Sequence, residues 1–238
     1  MGGDPHYRTF DGQYFEYQGT CPYVFVEPCH GTLPQPYNYF SVKAKNEKVS
    51  PTSHVSVVTE VEVEMYGQKL HVDCSYTLLF NGIRTGMNFY YPNKNNPKIT
   101  ATYSGGQVVI ANDQNVRVRF QCYRLCVEIP DDKPLQGSSV LCGLAGNRDF
   151  NCKDDFRRLD GYVYNVTSCQ TRYKKVTEIF GDSYITKDFL ITSSKEQQCL
   201  TGVEVTNGSI TCDLGAGKAK CQPILDAAHG KGPFAACQ

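Results

Sequence analysis

Val55-Ser-Val-Val-Thr-Glu-Val-Glu-Val-Glu-Met65 is the stretch from which the fold class is read. Val55, Val57, Val61, Val63 and Met65 fall on one parity, with Ser56, Glu60, Glu62 and Glu64 between most of them. A period of two places alternate side chains on opposite sides of an extended chain, so the pattern predicts a strand with one buried face and one wet face. The same pattern recurs downstream. Val116, Val118 and Phe120 alternate with Arg117, Arg119 and Gln121, and Leu125, Val127 and Ile129 resume after a short Cys-Tyr-Arg connection. Turn residues separate these runs at Gly67, Asn81-Gly82, Gly86, Pro92 to Pro97 and Gly105-Gly106. Many short strands with turn signals between them predict a mainly β chain over residues 1 to about 130, an antiparallel β-sandwich or barrel-like meander.

The pattern weakens further on. Residues 170–200 are mixed and are predicted to include a short helix. Cys221, Ile224, Leu225 and Ala228 fall at helical spacing, which predicts a short helical, disulfide-linked C-terminal segment.

At 238 residues, 40% of them apolar and 20% charged, the chain can bury a core and is not disordered by composition. Lys plus Arg (24) balances Asp plus Glu (24), so bulk charge recommends neither nucleic acid nor an anionic membrane. No apolar run approaches the length needed for membrane insertion. The twelve cysteines include no Cys-x-x-Cys pair and no Cys/His cluster with zinc spacing, so a disulfide framework is the expectation. Two glycosylation acceptors, Asn165-Val-Thr and Asn207-Gly-Ser, agree with a secreted, extracellular chain. With no signal peptide ahead of its first motif, the chain is expected to be a segment of a longer secreted precursor.

Cys142-Gly-Leu-Ala-Gly-Asn-Arg-Asp-Phe-Asn-Cys-Lys-Asp-Asp155 sets Asn147, Asp149, Asn151, Asp154 and Asp155 in nine residues behind a glycine turn. Closely spaced Asn and Asp oxygens are how a loop wraps a hard cation such as calcium. The loop is not an EF-hand, because the glycine and terminal Glu of that motif are missing. The alternative is a plain Asx-rich surface turn, since the same residues favour turns.

Gly3-Asp4-Pro5-His6-Tyr7 precedes Thr9-Phe10-Asp11-Gly12. Asp–Pro is the most acid-labile peptide bond, and His6 is a proton donor or acceptor near neutrality. The plainer reading is a strand-entry turn. Enzyme signatures are missing: none of the five histidines lies in a His-Glu-x-x-His context and no Gly-x-Ser-x-Gly elbow occurs. Gly143 and Gly146 are not followed by the Gly-Lys-Ser/Thr of a phosphate loop.

Taken together, four strings resemble the von Willebrand factor type D domain in order and spacing. They are Gly3-Asp-Pro-His-Tyr-x-Thr-Phe-Asp-Gly12, Tyr14-x-x-x-x-Gly19-Thr-Cys21-x-Tyr23-Val-Phe, Phe40-Ser-Val-x-x-x-Asn46-Glu and Cys142-Gly-Leu-x-Gly-Asn147. The resemblance covers residues 3–200. The tail from Ala219 to Cys237 resembles the opening of the C8 module that follows such domains, so the expected division is 1–200 and 201–238. The resemblance implies an antiparallel β-sandwich of the type D kind. It also implies a calcium site formed by Asn147, Asp149, Asp154 and Asp155, with Asn151 and, from the amino-terminal motif, Asp4. It implies the disulfides Cys29–Cys142 and Cys21–Cys199. Ala145 stands where the family motif has a second Cys. Cys152 is a candidate partner for Cys169, and Cys122 for Cys126, with Cys74 competing for either. Some relatives cleave themselves slowly at the Asp–Pro bond, here Asp4–Pro5 beside His6.

The resulting expectation is a non-enzymatic, calcium-stabilised module of a larger adhesive, mucus-like or matrix glycoprotein. It would associate with other extracellular proteins or with copies of its parent chain. Tyr37, Tyr39 and Phe40, and Phe89, Tyr90 and Tyr91, are candidate contact aromatics, with ordinary strand packing as the alternative. Two other functions belong to chains with such domains: binding of bone morphogenetic proteins, and the light-emitting reaction of luciferases built on paired domains. A single Gly-Asp-Pro-His string counts against the second.

Overall fold

A computed structural model of the chain describes residues 1–2, 5–170, 173–190 and 198–207, with backbone only at 206–207. Two antiparallel sheets form most of it. A hairpin of β1 (His6–Arg8) and β2 (Tyr14–Glu16) leads into β3 (Pro22–Pro28), β4 (Phe40–Lys48), β5 (Ser56–Met65), β6 (Gln68–Asp73), β7 (Leu78–Phe80) and β8 (Ile83–Thr85). The next five strands are β9 (Phe89–Tyr91), β10 (Ile99–Ser104), β11 (Gln107–Asn112), β12 (Arg117–Gln121) and β13 (Arg124–Glu128). They form the second sheet, in the order β13-β12-β11-β10-β9. A short strand, β14 (Leu141–Cys142), returns to pair with β3, so the first sheet runs β14-β3-β4-β5-β6-β7-β8. A short 3-10 helix (Lys133–Leu135), the hairpin of β15 (Phe156–Arg157) and β16 (Val163–Tyr164) and the helices α1 (Lys174–Asp182) and α2 (Gly202–Asn207) complete the described elements.

Every strand-to-strand step from β3 to β8 and from β9 to β13 joins sequence neighbours, which is why turn spacing alone was enough to expose the meander. The apolar parity of the strands enters one core, with one correction in β5: its register with β4 breaks between Val58 and Glu60, so Val58 rather than Val57 joins Val61, Val63 and Met65 in the core. Val42, Ala44, Val61, Val63, Leu70 and Val72 come from the first sheet and Ile99, Ala101, Val108, Ile110, Val118 and Phe120 from the second, none more than 3% exposed. Burying a side chain of this size is worth about 1.5–3 kcal/mol.

The expected wet face of β5 is corrected by the structure. Glu60 and Glu62 are 2% and 3% exposed, and Lys43, Lys45 and His71 on the neighbouring strands are buried beside them. Residues 184–190 lie across this face. Tyr184 O accepts from Val24 N–H, Asp188 binds Lys43 and Lys69, Phe189 packs on His71 and Leu190 N–H reaches Glu62 Oε2 at 3.0 Å. Burial is tolerated because the charges are paired, with Lys45 Nζ and His71 Nε2 at 2.8 and 3.0 Å from Glu60.

The expected helix within 170–200 is α1. Its Phe180 meets Phe15 and Phe156 edge-on at 5.5 and 5.2 Å, which fixes the β1–β2 hairpin against the later part of the chain. The candidate contact aromatics are packed. Tyr37 and Phe40 are buried, Tyr39 and residues 89–91 are half-buried, and Phe80 stacks near Phe89 and Tyr91 at 4.7 and 5.4 Å.

Among the described residues four disulfides join Cys21 to Cys199, Cys29 to Cys142, Cys74 to Cys122 and Cys152 to Cys169. Cys74 takes Cys122, so the Cys122–Cys126 alternative is overturned and Cys126 is free and exposed. The chain divides into two compact units, Met1–Thr206 and Asn207–Gln238. The C8-like segment, with Cys212, Cys221, Cys237 and the helical spacing from Cys221 to Ala228, lies outside the described residues, as does the Asn207 acceptor side chain. Asn165 is exposed beside β16.

Candidate metal centre

The Thr9–Gly12 turn of the first hairpin meets the acidic loop through three hydrogen bonds. Phe10 N–H donates to Ala145 O at 2.9 Å, Thr9 Oγ1 to Asp155 Oδ2 at 2.6 Å, and Asp149 N–H to Asp11 Oδ2 at 2.9 Å. Asp155 is fully buried, and its other oxygen accepts from Asn147 N–H at 3.1 Å. It therefore links the loop's start, the loop's end and the amino-terminal hairpin. Gly146 lets this happen. It holds φ +73, and a Cβ there would stand 2.3 Å from Asp155 Oδ1. Gly143 has the same role one turn earlier, where a Cβ would lie 2.5 Å from Phe25 O.

The six expected ligands separate into groups. Asn147 is 3% exposed, and its side-chain oxygen is buried without a hydrogen-bond partner. Asp154 Oδ1 is buried and unpartnered as well. Asp149 and Asn151 act as turn formers, each side chain accepting from the backbone N–H two residues on, at 3.0 and 3.4 Å. Asp155 is the buried link just described. Asp4 lies outside the described residues. Pro5 is buried and His6 Nδ1 stands 3.5 Å from Glu16.

The loop's carboxylates work against one another. Burial, and then the charges of Asp11 and Asp154, push Asp155 up to about 7 against the hydrogen bond from Thr9. Burial and the charge of Asp149 also raise Asp154. Burial raises Asp11, although backbone N–H groups of Asp149 and Phe150 pull the other way. A cation would relieve all three. Among the described residues no group of three or more His, Cys, Asp or Glu side chains is placed to hold a metal, so any ion here needs amide oxygens too. The two orphaned oxygens, one amide and one carboxylate, fit a hard cation, which takes this mixture of ligands.

Asp11 and Thr9 were not among the expected site residues. Their signal is the Thr9-Phe10-Asp11-Gly12 string, whose pattern marks the motif but assigns no role to either side chain.

A family model described as the von Willebrand factor type D domain matches residues 1–162, short of the 3–200 span expected from the motifs. The chain is 33% identical over 160 residues to zonadhesin of Mus musculus, covering 67% of this chain and 3% of that protein. It is 33% identical over 161 residues to the IgGFc-binding protein of Homo sapiens, covering 67% and 3%. Alpha-tectorin of Mus musculus is 34% identical over 164 residues, covering 67% and 7%. The chain thus spans a small fraction of each of these relatives.

Proposed function

Because the chain belongs to the von Willebrand factor type D domain family, we propose that it serves as a calcium-stabilised, non-enzymatic module of a larger secreted glycoprotein, acting through association with other extracellular proteins or copies of its parent chain. The observation that carries the calcium is the pair of buried, unpartnered oxygens on Asn147 and Asp154, set among carboxylates that burial and mutual repulsion destabilise. Asp149, Asn151, Asp155 and Asp4 would complete the oxygen set. Calcium supplies fixed positive charge. The chain's own residues orient the oxygens, exclude water behind Asp155 and tie the amino-terminal hairpin to a loop well over a hundred residues away. A site of that kind stabilises the fold as a crosslink does. Four disulfides, the exposed acceptor Asn165 and relatives with names such as IgGFc-binding protein and zonadhesin support the extracellular, adhesive reading. The segment after Asn207 is proposed to open a C8 module.

Thermal unfolding with calcium and after dialysis against a chelator tests the reading. Calcium at about a hundredfold above its Kd adds about 2.7 kcal/mol, a rise in Tm of roughly 5–10 °C for a domain of this size. Asp154→Ala should remove the calcium-dependent part of Tm and leave the chelated value nearly unchanged. An unmoved midpoint after exhaustive chelation sinks the proposal.

A further inference from the structure

The outer face of β12 and β13 concentrates arginine in a chain whose formal net charge is zero. Val118 and Phe120 enter the core, which leaves Arg117, Arg119 and Gln121 on the outside of β12. The register sets Glu128 opposite Arg117, Cys126 opposite Arg119 and Arg124 opposite Gln121. Arg8 of β1 joins Arg119 and Arg124 around an open cavity of about 510 Å³. Among the described residues no acid lines that cavity. Thr9 does, but its partner Asp155 is fully buried. Among the described residues Glu128 is the acid of this face and is bound to Arg119, at 2.9 Å from Nε and 3.1 Å from Nη2. Among the described residues Arg8, Arg117 and Arg124 form no ion pair.

The edge of β13 is not open to an extended peptide at Arg124–Leu125. Met1 exchanges two backbone hydrogen bonds with Leu125, at 2.9 and 3.0 Å, and Gly2 bridges Arg124. A ligand on this face must be read by side chains, which are guanidinium forks interleaved with the amides Gln107 and Gln121. Successive outward residues on a strand stand about 7 Å apart and cross-strand neighbours about 5 Å apart. The face is thus a two-dimensional array of positive charge. Guanidinium binds sulfate oxygens two at a time, and amides suit sugar hydroxyls. We propose that this face binds a sulfated polysaccharide chain, independently of any ion in the acidic loop.

Chromatography of the full chain on immobilised heparin, with Kd measured in parallel, tests this. The chain should be retained at about 0.15 M NaCl despite its zero net charge and released as salt screens the array. Arg117→Gln with Arg124→Gln should raise Kd for heparin about five- to tenfold at unchanged Tm. Glu128→Gln, which removes the acid of this face, should shift elution to higher salt. Failure of the native chain to be retained overturns the proposal, as does an unchanged Kd in the double variant. Binding of desulfated heparin or polyglutamate as tight as that of heparin would also overturn it, the latter pointing to an acidic peptide instead.

Discussion

Gly146 is the residue on which the acidic loop turns. At φ +73 it holds a conformation that L side chains adopt at a cost, and the space its Cβ would need is filled by Asp155 Oδ1. Gly146→Ala should therefore lose about 2–4 kcal/mol, roughly half from strain and half from displacing a buried carboxylate. Urea denaturation would read this as a lower midpoint at an unchanged slope. A loss below 0.5 kcal/mol would mean that Asp155 moves aside without cost and is not the link described above. A substitution at Gly67, whose Cβ would meet nothing, isolates the backbone part, since that residue has a similar φ of +67.

Among the elements, β5 shows what an alternating pattern can and cannot tell. Its apolar parity from Val61 to Met65 was legible because inward residues alternate along the strand itself, whereas the register break that turns Val58 inward in place of Val57 was not. The fate of its polar parity was not legible either. The cover comes from residues 184–190, with Asp188 lying 145 positions from Lys43 and Leu190 128 from Glu62. Nothing local marks Glu60 as buried. The candidate site divides in the same way. Its loop was legible from clustered Asn and Asp, whereas the role of Asp11 depends on a hydrogen bond across 138 positions. The buried network carries its own pH signature. Burial alone would raise Glu60, but the hydrogen bonds and charges of His71 and Lys45 outweigh it and hold the carboxyl at about 2. Because the folded value is depressed, the stabilisation is present above the unfolded value of about 4.3 and is lost as pH falls from there through 2. Glu60→Gln should lower stability at pH 7 by about 2 kcal/mol. It should also flatten the loss of stability between about pH 4.5 and 2. Denaturant midpoints of both proteins across that range are the check, and parallel curves would show that Glu60 is not the titrating group.

For the whole molecule, the covalent links and the acidic loop address one problem, a meander whose strand contacts are mostly local and whose ends must still be held. Cys21–Cys199 closes a separation of 178 residues, and beside it Thr20 exchanges hydrogen bonds with Leu200 at 2.8 and 3.0 Å. Cys152–Cys169 closes only 17 residues, within the segment that carries the acidic loop. If disulfides act mainly by restricting the unfolded chain, removing the first by paired Cys→Ala substitution should cost about 5 kcal/mol and removing the second about 3 kcal/mol. The calcium dependence should separate them further. Loss of Cys152–Cys169 frees the loop that presents Asn151 and Asp154, so it should weaken calcium binding as well as stability. Loss of Cys21–Cys199 should lower Tm equally with and without the ion. Measuring Tm for both variants in calcium and in chelator gives four numbers. A calcium-dependent increment that survives loss of Cys152–Cys169 unchanged would show that the loop is held by the Thr9–Asp155 and Asp11–Asp149 bonds alone.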